Sequence, residues 1–136
     1  MAIHVVYDYD VTINSVDLSD HVRSCTLSYE AEMLDASRMG LQTRSNLAGM
    51  KNWSLEVEFE QDYATGSVDA TLFALVGAAA FGVILLPTSA AKGAGNPEYS
   101  GNVVLESYNP MAGTIGDLGT CTASFRCAGT LARAVA

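Results

Sequence analysis

Residues 53–61 read Trp53-Ser54-Leu55-Glu56-Val57-Glu58-Phe59-Glu60-Gln61, and the alternation is without a fault. Successive side chains of a β-strand point to opposite faces, so Trp53, Leu55, Val57 and Phe59 share one face while Ser54, Glu56, Glu58 and Glu60 share the other. The first set requires a core. The second is a row of three carboxylates two residues apart, with no basic residue in the strand to offset it. A strand with one apolar and one charged face belongs to an antiparallel sheet that is packed on one side.

Upstream, residues 23–30 repeat the pattern, with Cys25, Leu27 and Tyr29 opposing Thr26, Ser28 and Glu30. Before them, residues 11–14 alternate as a short strand that ends in an Asn14-Ser15 turn. Downstream, Ser67 is a suitable N-cap with Asp69 in the first turn, and apolar positions at three- and four-residue steps predict a helix over 68–78. Strand character returns over 80–86 and stops at Pro87. Small residues and the Asn96-Pro97 turn signal precede further strands over 102–108 and 120–128, which are separated by a glycine-punctuated turn over 113–119. Between residues 31 and 52 the periodicity dissolves, and Gly40 and Gly49 punctuate a mixed stretch. A connection of about twenty residues without structure is uncommon inside a compact domain. Met33, Leu34, Met39, Leu41, Leu47 and Met50 make it too apolar for a free linker, so it is expected to dock on its own domain or on a neighbour. The sum is mainly β: an antiparallel β-sandwich or rolled sheet with one flanking α-helix, in a single domain spanning 1–136.

The chain has 136 residues, a formal net charge of −8, 49% hydrophobic and 16% charged residues. That length suits one core, and the apolar fraction is too high for a disordered tail. The acidic balance argues against gripping nucleic acid, which takes a Lys/Arg face. The first ten residues, MAIHVVYDYD, carry no basic region and are interrupted by Asp8 and Asp10, so no targeting signal is expected. Residues 72–86 lack charge but fall short of the roughly twenty needed to cross a bilayer, and no membrane association is expected. Cys25, Cys121 and Cys127 cannot all pair and match no zinc or redox spacing. They are expected to be reduced thiols of a cytosolic protein, serving as small apolar fillers.

Chemistry is hard to find. His4 and His21 have no chelating spacing, and His21 is expected to be a solvated turn residue. Asp8 and Asp10, or Asp17 and Asp20, offer oxygens to a hard cation, but no Asp-x-Asp-x-Asp-Gly loop with a downstream Glu is present. No nucleophile elbow or P-loop occurs. Glu56, Glu58 and Glu60 stand in parallel on one strand, whereas glycoside hydrolysis needs carboxyl groups flanking the scissile bond. They form either a solvated sheet face or an electrostatic surface of defined purpose. No enzyme, metal or cofactor is expected.

Three segments together resemble the phage tail tube (major tail) proteins of long-tailed bacteriophages. They are VTINSVDLSDHVRSCTLSYE from Val11, the Leu47-Ala48-Gly49-Met50-Lys51-Asn52-Trp53 approach to WSLEVEFEQDYATGSVDATLFALVG, and NPEYSGNVVLESYNPMAGTIGDLGTCTASFRCAG from Asn96. The resemblance rests on their order and covers roughly residues 11–131. It implies a β-sandwich with a flanking helix, hexameric rings stacked into a hollow tube, and inner sheets joined between subunits. DNA would leave the capsid through the lumen without being specifically bound. It further implies that the 31–52 loop bridges to the next ring, with Met33, Leu34, Met39, Leu41 and Leu47 as apolar anchors. Glu56, Glu58 and Glu60 become candidates for the lumen wall, with Glu30 a weaker one. The implied partners are further copies of the chain and other tail proteins at the tube ends, and the implied location is the virion tail, assembled in the host cytoplasm. A tail completion or connector ring that does not polymerise, and a tube from a secretion system, are the alternatives. A ligand-binding β-sandwich would need an aromatic cluster on an exposed face, and Tyr63, Tyr99 and Tyr108 are scattered.

Overall fold

Asn14 and Ser15 both adopt left-handed conformations, with φ of 49° and 67°. Two consecutive residues of this kind make the tight turn whose twist matches a β-hairpin, and here they join β1 (Asp10–Ile13) to β2 (Val16–Asp17) with Ile13 opposite Val16. A computed structural model describes residues 8–135. After a short 3₁₀ helix over Ser19–His21, the chain forms β3 (Val22–Asp35), β4 (Asn46–Glu60), α1 (Val68–Leu75), β5 (Phe81–Leu86), β6 (Glu98–Ala112), β7 (Thr120–Cys127) and β8 (Ala132–Ala134). All named strand pairings are antiparallel, in the order β2-β1-β5-β6-β7-β4-β3, with β8 added beside β6. The sheet rolls over, so that residues of β1, β3 and β5 line one apolar hollow although β1 and β3 lie near opposite ends of the strand order. The rolled, mainly β architecture with one helix is the one the alternation predicts.

Trp53, Leu55, Val57 and Phe59 are at most 2% exposed and sit in one core with Val11, Ile13, Leu72, Val83, Val103 and Phe125. Full burial of such a side chain is worth roughly 1.5–3 kcal/mol. Trp53 also donates its indole N–H to the Gly129 carbonyl at 2.8 Å and lies close against Gly101. A Cβ at position 101 would stand 2.6 Å from Trp53 Cζ2, so the close approach of strand and ring requires glycine there.

The structure corrects the expected loop over 31–52. Most of it is strand: β3 runs on to Asp35, β4 begins at Asn46, and the two pair as a ribbon through Ala31↔Lys51, Met33↔Ala48, Leu34↔Leu47 and Asp35↔Asn46. Only 36–45 is loop. A register shift between Ala31 and Met33 breaks the phase of the side chains, which is why no simple period shows in the sequence. The helix also ends earlier than expected. Val76 turns extended and bridges to Leu105 of β6, and Gly77, at φ 77°, takes the left-handed position that follows a helix end. β6 is longer than residues 102–108 at both ends: residues 98–101 pair with β5 and β8, and beyond 108 the strand continues to Ala112 through a register shift that skips Pro110 and Met111, after an earlier one that skips Glu106. Proline, lacking an N–H, fits such an irregularity without losing a ladder bond. Among the described residues, no helix is long and apolar enough to cross a membrane; residues 72–86 are the end of α1, a turn and β5.

Candidate assembly surfaces

The outward face of β3, β4 and β7 is built by register. Glu56 lies between Thr26 and Ser124, Glu58 between Ser24 and Thr122, and Glu60 opposite Thr120. Each carboxylate is therefore flanked by hydroxyl side chains, and none of the three enters an ion pair among the described residues. Glu30 shares the face, opposite Asn52, whose Nδ2 donates to it at 3.4 Å. Glu56, Glu58 and Glu60 follow one another along β4 and Glu30 lies further along the sheet beside Asn52, so the four do not share one centre. The surface is suited to holding water and negative potential.

A cation interrupts it. Arg126, opposite Ser54, donates through Nε to Glu106 of β6, and that carboxylate raises the guanidinium further above its ordinary range. Alternation along β7 puts Arg126 on this face with Thr122 and Ser124; the Glu106 partner depends on the β6 irregularity and is not readable from β7 alone.

The ribbon is the second surface. Its tip is ordered by polar bonds: the Ser37 amide donates to Asp35 Oδ1 at 2.9 Å, the Ala36 amide to the Ser45 carbonyl at 2.7 Å, and the Ser45 amide to Ser37 Oγ at 2.9 Å. Hydrogen bonding to the charged form holds Asp35 below the usual carboxylate range. Around this frame the apolar side chains face solvent. Met33, Leu34, Leu41 and Leu47 are 44–61% exposed, and Met39 is fully exposed. All five expected anchors thus gather on the ribbon and its tip, and the expected carboxylates gather on the sheet.

The third surface is an edge. β3 ends the strand order, and among the described residues its fourteen-residue outer edge has no partner. A long unpaired edge is a template for another strand.

Other expected residues behave differently. His21 is not a freely solvated turn residue: Nε2 lies 2.9 Å from Asp62 Oδ2, tying the 3₁₀ helix to the exit of β4. Its Nδ1 is buried without a partner among the described residues. His4 lies outside the described residues. Cys121 is in the core, and Cys25 and Cys127 pack against it, all three unpaired. Burial pushes the Cys25 and Cys121 thiols up to about 11, which disfavours the thiolate. Asp10 and Asp17 both contact the Ser19 hydroxyl, and Asp8 accepts from Ser89. Among the described residues no three His, Cys, Asp or Glu side chains are grouped to hold a metal ion. Asn96, read from the sequence only as a turn signal, is a buried side chain that accepts from the Thr88 amide and donates to the carbonyls of Ala90 and Ala91, fixing the segment before β6.

No protein-family model matches the chain, and no curated protein matches it. Solved structures do. The chain is similar to one from the SPP1 tail tube, at 10% identity, with 97% of this chain and 80% of that one covered and a TM-score of 0.73. It is similar to one from the sheath/tube terminator of an extracellular contractile injection system, at 9% identity over 98% of both chains and a TM-score of 0.76. A third is from the tail of an empty gene transfer agent particle with C6 symmetry, at 17% identity, with 84% and 82% covered and a TM-score of 0.67. The chain has the fold these tail proteins share.

Proposed function

We propose that this chain is a structural, non-enzymatic subunit of a phage-type tail tube. Copies close into hexameric rings, and the rings stack into a hollow tube through which DNA passes. The observation that carries the proposal is the match of nearly the whole chain, ribbon and body together, to the SPP1 tail tube chain. The C6 symmetry of the gene transfer agent tail supports a ring of six.

Each surface then has a task. The free edge of β3 joins a neighbour's sheet within the ring. The ribbon, with Met33, Leu34, Met39, Leu41 and Leu47, bridges to the next ring. Glu56, Glu58, Glu60 and Glu30 face the lumen. DNA is a dense polyanion, and a basic wall would hold it by releasing counterions. A wall of carboxylates and hydroxyls repels the phosphates, stays hydrated, and lets the polymer slide. Modest contacts summed over many copies keep the tube intact. The virion tail is the corresponding location, with assembly in the host cytoplasm and other tail proteins at the two ends.

Negative-stain electron microscopy of the purified chain at high concentration tests this directly. Long hollow tubes are expected, and a protein that stays monomeric overturns the proposal. Isolated rings would instead favour the second reading, a non-polymerising ring at the tube end, which the likeness to a sheath/tube terminator supports. Deleting residues 34–49 is expected to leave a folded body that forms no tubes. Replacing Glu56, Glu58 and Glu60 with Lys is expected to preserve assembly and slow DNA passage; unchanged ejection kinetics would remove these residues from the lumen.

A further inference from the structure

β4 has two ends, and both carry exposed apolar side chains. Fifteen residues of strand separate them, a span of roughly 50 Å at about 3.3 Å per residue. At one end is the ribbon tip. At the other, the exit of β4 and the β6–β7 turn enclose a hollow of about 330 Å³ lined in part by Gln61, Tyr63, Pro110 and Met111. Tyr63, Met111, Ile115 and Leu118 there are 57% exposed or more, and Ile115 is fully exposed.

This end is held in shape by polar bonds. Gln61 Nε2 donates to the Pro110 carbonyl at 2.6 Å and to the Tyr108 hydroxyl at 3.0 Å, and the Tyr63 hydroxyl donates to the same carbonyl at 3.0 Å. The Gln61 amide binds the Gly119 carbonyl at 3.0 Å. The turn is closed by the Asp117 amide on the Thr114 carbonyl, with Gly116 at φ 93°, where a type II turn needs glycine. That turn carries Ile115 outward. An apolar surface presented on a fixed frame, open to solvent, is a surface prepared for a partner.

The two ends also differ in charge. The ribbon holds Arg38, Arg44 and Lys51 against Glu32 and Asp35, a net positive segment in a chain of net charge −8. The opposite end holds Glu60, Asp62, Asp69 and Asp117, and residues 60–69 and 110–119 contain no Lys or Arg. Tip against tip would bring like charges together, whereas tip against hollow pairs opposite ones. We infer that the ribbon tip of one copy seats on the opposite end of a second copy, in the hollow lined by Tyr63 and Met111 and against the exposed Ile115 and Leu118 of the adjoining turn. The inference rests on the tube reading and specifies which surface receives the ribbon.

Two single variants, Met39→Cys and Ile115→Cys, are mixed under assembly conditions and oxidised with diamide. The expected product is a disulfide-linked dimer containing one of each, at least tenfold more abundant than either variant gives with the unmodified chain. Tubes that form without this cross-link, or with only Met39→Cys homodimers, overturn the inference and leave the tube reading intact. Absence of any assembly overturns both. As a second measurement, Ile115→Asp with Leu118→Asp is expected to raise the concentration needed for assembly at least tenfold without moving the thermal midpoint of the unassembled chain. Assembly at an unchanged concentration would also overturn the inference.

Discussion

From Trp53 to Phe59, β4 seals every second side chain away from water, while from Asn46 to Asn52 the same strand leaves Leu47 58% and Met50 80% exposed. Hydrogen bonding does not separate the halves, since both pair with β3. The difference is what lies beyond the pair. The body half is joined on its other edge by β7, through Ser54↔Arg126 to Glu60↔Thr120, and is covered by the rest of the rolled sheet. The ribbon half has only β3. Pairing gives a strand its backbone bonds, but burial takes a further layer, and a two-stranded ribbon is marginal by itself. On the tube reading proposed above, the apolar ribbon is part of a core whose remainder belongs to another molecule.

That contrast breaks first under mutation. Phe59→Ala is expected to cost about 3–5 kcal/mol of unfolding free energy. Leu47→Ala is expected to stay within about 0.5 kcal/mol, as for surface sites. Both are read from the denaturant midpoint of the unassembled chain, and comparable losses would make the ribbon part of the chain's own core. Gly101→Ala comes next. The new methyl meets Trp53, and overpacking of this sort costs typically about 1–3 kcal/mol. Trp53 is the sole tryptophan, so its fluorescence reports the displacement directly. An unshifted spectrum would show that the ring has room to yield.

The smallest effect is acid sensitivity. Asp17 is held below the usual carboxylate range by the Ser19 hydroxyl and amide, and Asp62 by the Ala64 amide, Ser67 and His21. A lowered folded pKa adds stability above the ordinary carboxylate value near 3.9, and this is lost as pH falls through the lowered value. The denaturant midpoint is therefore expected to fall on acidification from about pH 5 towards pH 3. Ser19→Ala is expected to flatten that fall, while Ser37→Ala, which releases Asp35 and the Ser45 amide at the exposed ribbon tip, is expected to change it less. An equal response to Ser37→Ala would tie ribbon and body together more closely than their contacts suggest.

The body was legible because its alternation is strict: Trp53 to Phe59 and Cys121 to Phe125 each obey one period against one core. The ribbon was not. Met33 and Leu34 are adjacent, a register shift changes phase beside them, and the pairing that makes them strand, Leu34 with Leu47, is distant in sequence. β8 was missed for a simpler reason, since Ala132–Ala134 has little side chain to pattern. For the surfaces, the face that Glu56, Glu58 and Glu60 share follows from their spacing. Their hydroxyl neighbours, and the Arg126–Glu106 pair, follow from register across strands, which no strand records in its own sequence. The lumen and ring-to-ring roles proposed for these residues rest on the likeness to tail tube proteins, not on any pattern within a strand.

The separation of ribbon and hollow at opposite ends of β4 has a consequence for growth. If ribbon and hollow pair as inferred, the contact does not use itself up: however many rings are stacked, the ribbons of one terminal ring and the hollows of the other stay vacant. Such a stack is directional, and each added ring re-creates the condition for adding another. Nothing in a head-to-tail contact counts. The length of such a fibre, and the event that halts it, would have to be dictated by something other than this contact.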